Sequence, residues 1–178
     1  GAPAELVRLA HEAALDEIRH AELGFGLASA YAGMPLVPGP LPEAVRLECH
    51  HDLASLAAAA VREGCVGETL AALVASAQYE VSQDAAVLGA LDAIREDRGR
   101  HAEFAWRVVT GAMAQGASAV REAVRLAFDS AIAEQREAPI SDEIAVHAHG
   151  RLSGEEMKAV RLRGIEQIVL PAVSALLG

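Results

Sequence analysis

Aromatic residues make up only 3% of this chain, whereas 39 of its 178 residues are alanine and 52% are hydrophobic. A β-sandwich or barrel needs aromatic and β-branched side chains on its pleated surfaces, so this composition argues against one and for an all-α fold whose helices approach closely through small residues. Long apolar runs are missing too. Gly, Arg or Glu interrupts each hydrophobic stretch before it could span a bilayer, and no signal peptide is expected. Positive charge is scarce: 15 Lys and Arg stand against 25 Asp and Glu, for a net charge of −10. With single arginines scattered among acids, nucleic acid and anionic membrane are excluded as direct partners. The two cysteines, Cys49 and Cys65, are too few for a disulfide framework and read as reduced, packed thiols of a cytoplasmic protein. Phosphate loops, nucleophile elbows and Cys-x-x-Cys motifs are all absent.

What is present is helical periodicity over one domain, residues 1–178. The spacing predicts a first helix from about 4 to 32, starting after Pro3 and stopping at Gly33. A proline-rich connection, 34–42, leads to a second helix opening at Pro42 and reaching Gln78. Ser82 is the expected N-cap of a third helix, 84–114, and a fourth covers 118–136. A short helix near 142–149 ends at Gly150, where His147 and His149 are expected to cap it. Ser153 and Glu156 form a capping box for the last helix, which Pro171 should bend.

Several polar residues interrupt these apolar stripes. Glu17-Ile18-Arg19-His20 places a carboxylate and an imidazole three residues apart, about 60° around the helix axis, so both can reach one ion. They lie on the stripe Ala10, Ala13, Glu17, His20, Gly24, Ala28, Tyr31. Glu68 repeats the pattern among Ala57, Val61, Cys65, Ala72, Ala75 and Tyr79, and His101 does so with Ile94, Ala105 and Val108. A buried carboxylate costs several kcal/mol without a cation or donors, so three such stripes ask for a shared partner. Carboxylate and imidazole together suit iron or manganese better than structural zinc. The run Glu48, Cys49, His50, His51, Asp52 spreads around a helix and cannot converge on one ion. His11 is read as a surface residue.

Three segments carry a family resemblance: 15–23, 64–70 and 100–107, that is, Leu-Asp-Glu-Ile-Arg-His-Ala-Glu-Leu, Gly-Cys-Val-Gly-Glu-Thr-Leu and Arg-His-Ala-Glu-Phe-Ala-Trp-Arg. The chain resembles the ferritin-like, rubrerythrin-related bacterial proteins over its whole length. The resemblance implies a four-helix-type bundle with C-terminal additions and a non-haem di-iron centre for redox chemistry with O2 or peroxide. It implies Glu17 and His20 as one Glu-x-x-His, Glu68 as a single Glu and His101 as the histidine of a second Glu-x-x-His. That second motif is degenerate, because Arg98 stands where the family has Glu. Asp97 is a substitute carboxylate, or Arg98 neutralises Glu17 or Glu68 and leaves a metal-free binding or scaffold protein. The chain opens Gly1-Ala2-Pro3 without Met, and the family's leading Glu would lie on a helix upstream. A homodimer is expected from the Ala-rich surfaces; the residues name no catalytic group and no organic substrate.

Overall fold

A computed structural model describes residues 1–40, 50 and 52–178, and every regular element among them is helical, with no strand. Helix α1 (Ala4–Ala32) starts after Pro3 and stops where Gly33 takes φ +66°, a left-handed cap that a β-carbon would strain. The expected helix start at Pro42 lies outside the described residues, as do Glu48, Cys49 and His51 of the acid/histidine run. Within them, α2 (Leu53–Ala59) begins where the Asp52 carboxylate accepts the Ser55 N–H at 2.8 Å. It passes without a break into a π-helical segment, Ala60–Glu68, and then α3 (Thr69–Val81). A reading on a 3.6-residue period passes over this widened turn, across which the buried residues Val61, Val66, Leu70 and Val74 recur every four to five residues. Such segments are often found at functional sites.

Helix α3 runs past Gln78 to Val81, and Asp84 rather than Ser82 caps the next helix. Asp84 accepts from Ala86 N–H at 2.9 Å and Val87 N–H at 3.3 Å, while the Ser82 hydroxyl is buried without a partner. Helices α4 (Ala85–Ala114) and α5 (Ser118–Glu137) follow. The helix expected at 142–149 is only a 3₁₀ turn, His147–His149. Its backbone groups pair instead in a bridge between Val146 and Arg151, at 2.8 and 3.2 Å. The C-terminal helix comprises α6 (Gly154–Gly164), a π segment (Ile165–Val169) and α7 (Leu170–Leu177). Pro171 sits in the first turn of α7. The wide turn before it accommodates the missing N–H, so the expected bend takes the form of a π segment upstream of the proline.

The capping box is formed: Ser153 Oγ accepts the Glu156 N–H at 3.2 Å, and Glu156 accepts the Ser153 N–H at 2.8 Å. His147 donates Nε2–H to the same carboxylate at 2.9 Å instead of capping the turn before it. His149 meets the Tyr31 hydroxyl at 2.8 Å. The Ser153 backbone N–H, then His147 and the Ser153 side chain, hold the Glu156 carboxyl at about 2, below its usual 4.5. A lowered folded value means this stabilisation is complete above the unfolded value and disappears as pH falls through the folded one. Glu156→Gln should therefore melt below wild type at neutral pH, the gap closing between pH 4.5 and about 2. A gap independent of pH in thermal unfolding would refute that account.

The core lies between α2–α3, the C-terminal half of α4, α5 and the C-terminal helices. Val61, Cys65, Val66, Val109, Phe128, Ile165 and Val169 are all at most 1% exposed, and Trp106 stacks on Phe128 with centroids 5.4 Å apart. Burial pushes the Cys65 thiol up to about 12, so it packs as a small apolar group and carries no nucleophilic chemistry. Helix α1 stands outside this core and packs along α4. Leu6, Leu9, Ala13, Asp16, His20, Leu23 and Leu27 form a covered seam at alternating three- and four-residue spacing, joined near its end by Phe25, Ala28 and Ser29, and only His20 is buried. No described helix is long and apolar enough to cross a membrane.

Candidate metal centre

Asp16 and His20 fall on the seam between α1 and α4, and Glu17 projects from its edge. One residue is a rotation of about 100° on a helix, which turns Glu17 from the packing stripe expected of it to a half-exposed position, 50% accessible. From there its carboxylate reaches across α4. Glu17 Oε1 lies 3.5 Å from His20 Nδ1 and 3.5 Å from His101 Nδ1. Glu68, the last residue of the π segment, brings Oε2 to 3.9 Å from His101 Nδ1. Glu17, Glu68 and His101 thus each offer a ligand atom within 4.8 Å of the others. His20 flanks the group on the other side of Glu17.

The outward-facing ring nitrogens each meet an aspartate carboxylate of the other helix. His20 Nε2 is 2.9 Å from Asp97 Oδ2, and His101 Nε2 is 3.2 Å from Asp16 Oδ2. Burial raises the Asp97 carboxyl, but hydrogen bonds from Arg19, His20 and Arg100, with the Arg100 charge, outweigh it and hold the group below the usual carboxylate range. An ionised carboxylate only accepts, so His20 Nε2 carries the proton and donates. In a neutral ring Nδ1 then presents a lone pair, and at His20 this atom is buried with no hydrogen-bond partner. A lone pair aimed at the Glu17 carboxylate is repulsive unless a cation or a proton lies between them. Donation of the outer N–H to a carboxylate is the arrangement that orients histidines which ligate metals.

The braces cross between the helices. Asp16 of α1 holds the α4 histidine and Asp97 of α4 holds the α1 histidine. Arg19 and Arg100 each pair with both aspartates, Arg19 reaching Asp16 at 3.3 Å and Arg100 reaching it at 3.2 Å, with closer contacts to Asp97. Asp97 is therefore not the substitute ligand expected from the sequence. It is 1% exposed and turned to the outer edge of His20, because it sits four residues before His101 rather than three. Arg98 donates Nη1 to Glu68 at 2.9 and 3.2 Å, one of the two pairings expected of it. Asp16, Arg19 and Arg100 were not anticipated, although the sequence holds a signal for them. Asp16-Glu17-Ile18-Arg19-His20 and Asp97-Arg98-Gly99-Arg100-His101 share Asp-x-x-Arg-His, and the two pentads face each other.

Beside the centre lies a cleft of about 410 Å³, its walls combining Glu17, Glu68 and His101 with Ala13, Ala60, Gly64, Phe104 and Val108. His50 also lines it, the one described member of its acid/histidine run besides Asp52. Gly64 belongs to the closest approach of the π segment to α4, where a β-carbon would stand 2.1 Å from Ala105 Cβ. Comparison of the chain with protein-family models, with curated proteins and with solved structures gives no match.

Proposed function

We propose that the chain is a ferritin-like, rubrerythrin-related metal protein that holds iron or manganese at Glu17, Glu68 and His101 and serves O2- or peroxide-dependent redox chemistry. One observation carries the reading: both histidines spend their outer N–H on an aspartate and turn Nδ1 toward Glu17, and the His20 Nδ1 has no partner. Two carboxylates and an imidazole form a hard, mixed oxygen and nitrogen donor set of the kind that suits iron and manganese. When bound, an ion of this type would cycle between its divalent and trivalent states and relay electrons one at a time from an external reductant to O2 or peroxide.

The chain's own residues prepare the site. Asp16 and Asp97 fix the two ring planes and keep the Nε2 protons away from the centre. Arg19 and Arg100 compensate the aspartates so that both stay ionised. The alanine, Phe104 and Val108 walls of the cleft present an apolar surface beside Glu17 against which a small apolar molecule would pack. The free, buried Cys65 and the acidic balance fit a cytoplasmic protein that acts on a small molecule rather than nucleic acid. The Ala-rich faces of α1 support a homodimer, which sedimentation at roughly tens of micromolar should reveal, a monomer there counting against it.

The test is metal per chain by plasma mass spectrometry after anaerobic Fe(II) loading. Wild type should hold about one iron and His101→Ala close to none, and the loaded wild type should consume O2 faster than free Fe(II). A second reading is favoured by the Arg98–Glu68 pair: a metal-free binding or scaffold protein in which the guanidinium does the neutralising. Wild-type protein that stays free of metal under these conditions would support it.

A further inference from the structure

We propose that Arg98 is a resident cation that restricts this centre to a single divalent metal, an inference that rests on the metal reading above. The two Asp-x-x-Arg-His pentads place residue 98 before His101 as residue 17 stands before His20. Glu17 lies between the two inward Nδ1 atoms, at 3.5 Å from each, and Arg98, its counterpart on α4, sends its guanidinium to the Glu68 carboxylate at 2.9 Å. A positive charge therefore sits where the pattern of the facing helix would put a negative one.

Charge then decides occupancy. The inner groups are the carboxylates of Glu17 and Glu68 and the guanidinium of Arg98, a net −1 with neutral imidazoles. One divalent ion turns this to +1. A second ion, on the His20 side of Glu17, would raise it to +3 in a partly enclosed site, and the α4 carboxylate beside His20, Asp97, is already held on the outer Nε2. At an effective dielectric constant of about 20, charges a few ångströms apart interact by several kcal/mol, enough to exclude the second ion. Arg98 also competes for Glu68, since the same Nη1 lies near both carboxylate oxygens. Its removal frees a ligand and strengthens the first site.

The experiment titrates Mn(II) into the full chain and reads free Mn(II) by electron paramagnetic resonance, using wild type, Arg98→Gln and Arg98→Glu. Wild type should take up about one ion, Arg98→Gln one ion at least about tenfold more tightly, and Arg98→Glu about two. Adding His20→Ala to Arg98→Glu should return the count to about one, which assigns the second ion to the orphaned Nδ1. Two ions in wild type, or an Arg98→Gln variant that binds no more tightly, would overturn the proposal. Binding by the variants alone would also overturn it, since wild type would then hold no ion and Arg98 would block the centre outright. If neither wild type nor any variant binds, the metal reading fails and this inference with it. Arg98 is 28% exposed and outside the core, so circular dichroism should find the helices intact, and Arg98→Gln decides the matter should Arg98→Glu not fold.

Discussion

Glu17→Gln should reduce Mn(II) or Fe(II) affinity by at least about a hundredfold while leaving the fold as stable as wild type to within about 0.5 kcal/mol. Glu17 is the one carboxylate set 3.5 Å from both inward imidazole nitrogens. Glutamine keeps its shape and removes its charge, so any ion loses the anion common to both histidines. Loss of an outer partner such as Asp16 typically costs ten- to a hundredfold, and loss of a ligand itself should exceed that. Stability should hold because the side chain is 50% exposed and opens no cavity when changed. The two readouts are a metal titration and a denaturant melt of the same preparation. Wild-type affinity in Glu17→Gln would remove this residue from the centre, whereas a large loss of stability would mean that the carboxylate has a structural task.

The second large effect concerns Gly64. A glycine-to-alanine change inside a helix normally stabilises it by about 1 kcal/mol. Here the added β-carbon would stand 2.1 Å from Ala105 Cβ, with the Ala105 Cα at 3.5 Å, so α4 must move away. We expect Gly64→Ala to destabilise the chain by about 1–3 kcal/mol, as overpacking does in tight interiors. Metal affinity should fall as well, because the same displacement separates Glu68, four residues further along, from His101, their ligand atoms now being 3.9 Å apart. The double variant Gly64→Ala/Ala105→Gly removes the offending contact and should recover most of both losses, an interaction that a double-mutant cycle reads directly. Stabilisation by Gly64→Ala alone would show that α4 and the π segment are not held this closely.

These two residues also show how differently sequence and structure speak. Glu17 and Glu68 stood out because a carboxylate on an alanine stripe conflicts with periodicity. That conflict is visible wherever the helix period is known. Gly64 gave no such sign: a glycine between Glu63 and Cys65 does not announce which neighbour it touches. The π segment was passed over for a different reason: the widened turn lengthens the buried spacing by a single residue, from Val61 to Val66, a step easily absorbed into a 3.6-residue stripe. At 142–149 the periodicity misled: Val146 pairs with Arg151 across a bridge, and only His147–His149 form a 3₁₀ turn.

The sequence by itself determined the helical class, the ends of α1 at Pro3 and Gly33 and the Ser153–Glu156 capping box, and it singled out Glu17, Glu68 and His101, which the fold brings within reach of one another. All of these depend on residues no more than about one turn apart or on the period of one helix, interactions that are local in the chain. Only the tertiary structure decided that Asp16 serves His101, that Asp97 serves His20, and that Arg98 spends its charge on Glu68. Each of those pairs joins residues on different helices, 85, 77 and 30 positions apart. Their pairing follows from the register in which α1 and the π segment lie against α4, a property that no single helix contains.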